Sequence, residues 1–244
     1  MLNSERFLVA INQMQKYMEE QLGTDRHLSF YQLIDLCKKK NPIIREYEQD
    51  LKEYAELRNA IVHERVKPGM VIAEPHDSVV QQMEFILHEL TQPERVIPRY
   101  KRRVFTYQMD EPLTHVLGVI KRYSYTQFPI YNGNGKKFIG LLTHHGIAEW
   151  LAHHQDLDLI TLNTVRVRDV LAHERTEKNY AVISAQATIY DARDIFIQHL
   201  EKGVHRLDAI LITEQGRMDE PLLGLITPID VIKMFSKNGN GENG

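Results

Sequence analysis

Cysteine is nearly absent: Cys37 is the only one in 244 residues. A single thiol cannot close an internal disulfide or build a thiolate cluster, so disulfide-stapled and zinc-thiolate folds are excluded, and a reducing compartment suits the chain. No His or Asn is placed by sequence to turn Cys37 into a nucleophile. Long apolar runs are absent too. Nothing approaches the ~20 residues that span a bilayer. The stretch after Met1 is broken by Asn12, Gln13 and Gln15, unlike the apolar core of a signal peptide. A cytoplasmic protein with no membrane partner is the expectation. Net charge is small: 30 Lys and Arg stand against 33 Asp and Glu, a formal −3. No global positive field gathers nucleic acid, so any RNA contact needs a local patch. The 12 histidines form no metal pattern. His144-His145 and His153-His154 are adjacent pairs, which point to different sides of a helix, and no His-x-x-x-His arrangement has a supporting acid. No metal is expected.

The composition that is present, 43% hydrophobic and 26% charged, can bury a core. The length fits one large domain or two ordinary ones. Residues 1–92 read as helices. Phe7, Ile11, Met14 and Met18 follow one helical face. Ser29 can cap a second helix carrying Leu33, Ile34 and Cys37. Pro42 is placed to open a third, which runs through Tyr47, Leu51, Tyr54, Leu57 and Ile61 and ends before Pro68-Gly69. Asp77 or Ser78 then caps a fourth with Val80, Met83, Ile86 and Leu90. Strand-like alternation is absent here, so a small helical bundle is predicted. Pro93 and Pro98 mark a boundary.

Residues 93–237 have a different texture, and within them a pattern occurs twice. A helix from Pro112 to Tyr123 leads to the strand Phe128-Pro129-Ile130-Tyr131, the turn Asn132-Gly133-Asn134-Gly135, the strand Phe138 to Thr143 and a helix through Trp150. A helix from Ile189 to Leu200 leads to Ala209 to Ile212, a loop around Gly216, a strand Leu222 to Thr227 and a helix through Phe235. The first repeat spans about 96–155 and the second about 165–237. The tail from 238 to 244 carries no apolar residue and is expected to be disordered.

The closing motif of the second repeat is Gly224-Leu225-Ile226-Thr227-Pro228-Ile229-Asp230, and the first has Gly140-Leu141-Leu142-Thr143-His144-His145-Gly146. Gly224 suits a close approach of another element. Thr227 sits where a strand becomes a helix, so its hydroxyl can cap that helix or face a phosphate. Asp230, in the first helical turn, can accept both hydroxyl protons of a ribose, or with Thr227 serve only the helix end. The repeat and this Gly-apolar-apolar-Thr-x-x-Asp motif resemble the CBS domain, named for cystathionine β-synthase. The fold implied is α+β: an N-terminal α-helical bundle followed by two tandem β-α-β-β-α CBS units.

The resemblance implies an adenine nucleotide in a cleft between the repeats. Thr227 and Asp230 would meet Phe105 and the segment Tyr125-Thr126-Gln127, whose backbone would read the adenine edge while an aromatic ring stacks on it; the alternative for these aromatics is core packing. A mirror site would use Thr143 with Val182, Ile183, Arg206 and Asp208. Its acid is lost at Gly146, so one strong site rather than two is expected. Arg102, Arg103, Lys121, Arg122 and Arg206 are candidate phosphate partners. AMP, ADP and ATP lead the ligands implied, with cyclic di-AMP and S-adenosylmethionine sharing the adenosine, and no prosthetic group is expected.

In the helical part, Arg58-Asn59-Ala60-Ile61-Val62-His63 places Asn59 and His63 on one face. This resembles the Arg-Asn-x-x-x-His signature of HEPN domains, four-helix bundles that dimerise through this region, some of which are metal-independent ribonucleases. His63 would then act as general acid or base, Arg58 would stabilise phosphoryl charge and Asn59 would orient them. The alternative is structural, with Arg58 paired to Glu56 or Asp50 and Asn59 with His63 in a buried polar network. The reading preferred is a homodimeric sensor that binds an adenine nucleotide and relays it to the helical domain. A nucleotide-controlled ribonuclease and a structural dimerisation protein with empty clefts are the alternatives.

Overall fold

The computed structural model describes residues 2–23, 28–63, 65–67, 70–71, 73–133, 137–154, 162–174, 179–201 and 206–236. The chain divides into two compact units, Met1–Glu94 and Arg95–Gly244. The tail predicted from residue 238 and the turn residues Asn134 and Gly135 lie outside the described residues.

The first unit is built from α1 (Asn3–Leu22), α2 (Phe30–Cys37), α3 (Pro42–Glu46), α4 (Glu48–His63) and α5 (Asp77–Thr91). The apolar face read from sequence is the buried one: Phe7, Ile11, Met14 and Met18 of α1 are buried, as are Leu33 and Ile34 of α2, Leu51 of α4 and Met83 of α5, and α1 contacts all three of those helices. Ser29 caps α2 in a reciprocal box with Gln32, which satisfies two end amides. Arg6 ties α1 to α5 through Asp77 at 3.0 Å and Glu84 at 2.8 Å.

Three sequence expectations are corrected here. The third helix is two helices. Pro42 opens only α3, with Asn41 as its cap, and the chain leaves helical geometry at Tyr47 (φ −99°, ψ 20°). The carbonyl of Tyr47 then receives the amide of Leu51 at 2.9 Å, and Glu48 and Asp50 place negative charge in the first turn of α4, as a helix start favours. The cap of α5 is His76, which precedes Asp77 in extended geometry. The chain after α4 also forms a short antiparallel strand pair, β1 (Arg65–Lys67) with β2 (Met70–Val71). Strands this short show no alternation to read.

The second unit carries a short α6 (Val96–Arg99) and then the repeat. Its first copy is β3 (Tyr107–Gln108), α7 (Leu113–Tyr123), β4 (Gln127–Asn132), β5 (Lys137–Thr143) and α8 (His144–His153), followed by α9 (Val167–Leu171). Its second copy is β6 (Tyr180–Ser184), α10 (Ile189–Glu201), β7 (Ala209–Thr213), β8 (Gly224–Ile226) and α11 (Pro228–Ser236). Each copy has a three-stranded sheet with one parallel and one antiparallel pair, ordered β3-β4-β5 and β6-β7-β8. The parallel pairs require the crossover helices α7 and α10. The fold is therefore α+β, as expected. Leu141 of β5 packs with Ala209 and Leu211 of β7 and Leu225 of β8, so the two sheets share a core.

The last strand is shorter than the apolar run predicts. Leu222 and Leu223 precede it, because Arg102 N–H donates to the carbonyl of Leu223 at 3.2 Å and Lys101 bridges to Gly224. The entering segment of the first repeat thus crosses the second repeat at Gly224. A Cβ on Gly224 would stand 2.1 Å from the carbonyl oxygen of Tyr100, whereas one on Gly140 would meet Leu171 at an ordinary 3.5 Å. Gly224→Ala is expected to lower stability by about 1–3 kcal/mol through overpacking against backbone, while Gly140→Ala stays within about 0.5 kcal/mol of the parent. Denaturant melts of the two variants check this, and equal stabilities would refute the crossing.

Candidate functional site

The crossing at Gly224 carries Arg102 to the start of α11, where Thr227 and Asp230 stand. Thr227 ends the strand, and its carbonyl receives the amide of Val231 at 3.3 Å, so it occupies the cap position. Asp230 Oδ2 accepts from Thr227 N–H and from Thr227 Oγ1–H, each at 2.8 Å, while Asp230 N–H returns to Thr227 Oγ1 at 3.3 Å. The helix-capping role is therefore real, and it uses one carboxylate oxygen. Arg102 Nη2 reaches that same oxygen at 3.0 Å and also donates to the carbonyl of Leu225. Among the described residues nothing bonds to Asp230 Oδ1.

Facing this carboxylate is an aromatic cluster. Ser124 adopts a left-handed conformation (φ 56°) that ends α7 and folds the chain back. Tyr123 and Tyr125 thereby stack at 5.9 Å with 22° between their planes, and Phe105 lies 5.5 Å from Tyr123 and 5.7 Å from Tyr125. Tyr123 and Tyr125 are 44% and 49% exposed, so they form a wall open to a ligand rather than a filled core. Phe105 is half-buried and also packs against the first repeat's core, as the core-packing alternative expects of it.

All six residues assigned to the first cleft line one cavity of about 360 Å³: Phe105, Tyr125, Thr126, Gln127, Thr227 and Asp230. Arg102 and Arg103 line it as well, whereas Lys121 and Arg122 do not; Arg122 lies 5.3 Å over the ring of Tyr123 instead. The carbonyl of Thr126 already accepts the amide of His144 at 3.0 Å, and Thr126 Oγ1 donates to Gln127 Oε1 at 2.8 Å. Tyr123 and Lys233 are among the lining residues that the sequence reading does not assign to the cleft. Lys233 follows Asp230 by one helical turn, a spacing that could have flagged it.

The mirror cleft is assembled differently. Thr143 caps α8 by accepting Gly146 N–H at 3.1 Å, as Thr227 does for α11. The acid missing at Gly146 is replaced from elsewhere. Glu174, just past α9, accepts Thr143 N–H at 2.5 Å, the bond Asp230 takes at Thr227. The absent side chain of Gly146 makes the room: a Cβ there would stand 2.2 Å from Glu174 Oε1. Asn179 Nδ2 joins the carbonyl of Leu141 at 3.1 Å to Glu174 Oε2 at 3.5 Å, and Asp208 N–H donates to the carbonyl of Asn179 at 2.7 Å. Arg206 Nε pairs with Asp208 Oδ1 at 2.6 Å.

Val182 and Ile183 lie inside β6, in register with Leu211 and Ile212 of β7. The segment entering β6 ends at Asn179, earlier than the apolar run suggests. Arg206 and Asp208 do line a cavity of about 640 Å³, shared with Thr126, Gln127 and Thr227 and walled by apolar residues of α10 and α11, among them Leu200, Ile229 and Ile232.

In the helical unit, Arg58 and Asn59 sit near the end of α4; the side chain of His63 lies outside the described residues. Asn59 is exposed, which rules out its place in a buried polar network. Arg58 makes no ion pair among the described residues, so the pairing with Glu56 or Asp50 is not seen there. No group of His, Cys, Asp or Glu among the described residues could hold a metal ion. No helix is long and apolar enough to cross a membrane.

Burial pushes the carboxyl of Glu174 above the usual range, with Asp208 adding to the effect and the Thr143 N–H and hydroxyl and His145 opposing it. Burial raises Asp208 too, against the pull of Arg206, His144 and His145. A raised carboxyl contributes stability that is full below the ordinary glutamate value and lost as pH rises through the raised one. Glu174→Gln removes that dependence. The melting temperature of the variant minus that of the parent is expected to become more positive from pH 4 to pH 8. A difference that is flat or falls with pH would contradict the assignment.

A family model for the CBS domain matches residues 99–153 and 167–237, more than half of the chain. No match was found among curated proteins. Solved structures similar to this chain include a CBS domain-containing protein from Kribbella flavida, at 12% identity and a TM-score of 0.43, covering 56% of this chain and 94% of that one. Another is a CBS domain pair in complex with 5′-methylthioadenosine and S-adenosyl-L-methionine, at 12% identity and a TM-score of 0.43, covering 60% of this chain and 98% of that one. A third is a CBS-domain containing protein from Agrobacterium tumefaciens, at 19% identity and a TM-score of 0.40, covering 54% and 84%.

Proposed function

The chain belongs to the CBS domain family, and we propose that it is a regulatory protein whose first cleft binds an adenine nucleotide. The observation that carries this reading is the meeting, in one cavity of about 360 Å³, of a helix-start carboxylate, an exposed aromatic wall and a set of cations. Each suits one part of the ligand. Asp230 Oδ1 can accept ribose hydroxyl protons while Oδ2 stays on Thr227. The Tyr123 and Tyr125 rings offer a face to a purine, and base stacking on an aromatic contributes about 1–3 kcal/mol. Arg102, Arg103 and Lys233 answer phosphate charge, with arginine able to do so in a two-pronged way. AMP, ADP and ATP fit this combination. Cyclic di-AMP carries phosphates as well, and S-adenosylmethionine carries none.

The domains of the reading are the helical bundle at 1–92 and the CBS pair at 93–237, with the nucleotide signal passed to the bundle. Such a relay requires that the ligand favour one of two arrangements of the protein. A homodimer is part of the proposal. Leu200, Ile229 and Ile232 are 80%, 62% and 64% exposed on α10 and α11, an apolar patch of the kind that a second copy covers. The cytoplasm is the compartment proposed.

Calorimetry with AMP, ADP, ATP, cyclic di-AMP and S-adenosylmethionine tests the cleft. At least one phosphorylated adenosine is expected to bind, and Asp230→Ala to weaken it tenfold or more, about 1.4 kcal/mol. Tyr125→Ala should weaken it too, by about 1–3 kcal/mol if the ring stacks on the base. Binding unaffected by either substitution would place the ligand elsewhere, and no binding by any of them would remove the nucleotide reading.

A second reading has one observation in its favour: Asn59 is exposed on α4 beside an Arg58 without an ion pair among the described residues. This leaves both open to a phosphodiester, in a HEPN-like ribonuclease with His63 as the acid or base. RNA cleavage that His63→Ala abolishes, with the melt unchanged, is what that reading expects; cleavage unchanged in the variant would end it.

A further inference from the structure

We propose that the exposed tyrosines Tyr123 and Tyr125, with the cations gathered around them, form a platform for single-stranded nucleic acid. This goes beyond a nucleotide in the first cleft. The surface continues past that cavity, and its chemistry holds whether or not the cavity is filled.

The chain as a whole is slightly acidic, but its charge is unevenly spread. Residues 95–109 and 112–148 carry five and four Lys or Arg respectively, and no Asp or Glu. The fold joins these two stretches at the rings: Phe105 of the first lies 5.5 Å from Tyr123 and 5.7 Å from Tyr125 of the second. Lys101, Arg102 and Arg103 come just before Phe105, Lys121 and Arg122 just before Tyr123, and all five are exposed. Lys233 of α11 lines the same cavity as the rings. The carboxylates at hand are already engaged. Asp230 holds Arg102 at 3.0 Å. Asp219 and Glu220 border a second cavity with Arg102 and Arg103, and they hold Arg217 at 3.3 and 3.2 Å. Arg103, Lys121, Arg122 and Lys233 pair with no carboxylate among the described residues. This is the local positive patch that a chain of formal charge −3 needs in order to hold a polyanion.

Charge alone attracts any polyanion; the rings select among them. Tyr123 and Tyr125 are 22° from parallel and each is nearly half exposed. The guanidinium of Arg122 lies 5.3 Å over the ring of Tyr123, so a cation and an aromatic face are offered together. Unpaired bases stack on such faces and on arginine planes, whereas a duplex keeps its bases stacked on each other. Stacking of this kind is tolerant of sequence, because every base has a face. Lys121 and Arg122 do not line the first cleft. A strand with one base on the rings has neighbouring phosphates for these two cations to meet, which a mononucleotide lacks.

The test is fluorescence anisotropy on the full chain with labelled oligouridylate and oligothymidylate about 12 nucleotides long, within the site sizes such platforms cover, and with a duplex of the same length, at rising KCl. At least one single strand is expected to bind ten times more tightly than the duplex, and a preference between the two names RNA or DNA as the ligand. Tyr123→Ala is expected to weaken the strand at least tenfold, while Tyr123→Phe, which keeps the ring, retains it; thermal melts report that both are folded. Lys121→Gln combined with Arg122→Gln is expected to weaken the strand and to lower the slope of log affinity against log salt by about 0.7 for each cation removed. The same pair leaves any adenine-nucleotide isotherm unchanged. Strand and duplex bound equally, strand binding that survives Tyr123→Ala, or phosphatidylserine vesicles bound as tightly as the strand would each overturn the proposal. Nucleotide binding with no strand binding removes this inference alone. Strand binding that depends on Tyr123, without any nucleotide binding, removes the first-cleft reading and keeps this one.

Discussion

A helix begins with amides that its own hydrogen bonds cannot satisfy. In this CBS pair the threonine ahead of the final helix of each repeat offers its own N–H at that point, in the gap between the repeats. A carboxylate is the strongest neutral-pH partner for such a group, because the bond is charge-assisted and the helix end favours negative charge. The second repeat meets the need locally with Asp230. The first repeat has glycine at the matching position and draws Glu174 in from beyond α9. The same demand is thus met by two different routes, and the one at Asp230 fixes a carboxylate at the wall of a cavity.

The first cleft also depends on a close crossing. The carbonyl of Tyr100 lies where a side chain on Gly224 would be, and the next residues run on as an added strand edge beside Leu223 and Gly224. This brings Arg102 within 3.0 Å of Asp230, across 128 residues of sequence. The guanidinium and the carboxylate therefore hold each other before any ligand arrives. Among the described residues Oδ2 of Asp230 holds both Arg102 and Thr227, which leaves Oδ1 for a further donor.

Contiguous features are legible in the sequence, and assembled ones are not. The closing motif from Gly224 to Asp230, the segment Tyr125 to Gln127 and the repeat order all lie in short stretches, where spacing and residue type suffice. The helix break at Tyr47 is missed because Pro42 and the apolar spacing both permit one long helix, and only the acidic start of α4 hints otherwise. Around Val182 and Ile183 an apolar run shows a strand without showing its first residue, and the chain enters β6 at Tyr180. Glu174 has no local signal. Nothing in the residues around it says that a glycine 28 positions earlier, by the numbering of the chain, has left a place for its carboxylate.

The difference between the two acids also bears on how the pair would respond to its surroundings. Asp230 is balanced by Arg102, so its charge is compensated within the fold. Glu174 faces Asp208, and burial disfavours its charge. The two repeats therefore hold their acids in different settings, one paired with a guanidinium and the other buried beside a second carboxylate. That asymmetry traces to a single missing side chain at position 146.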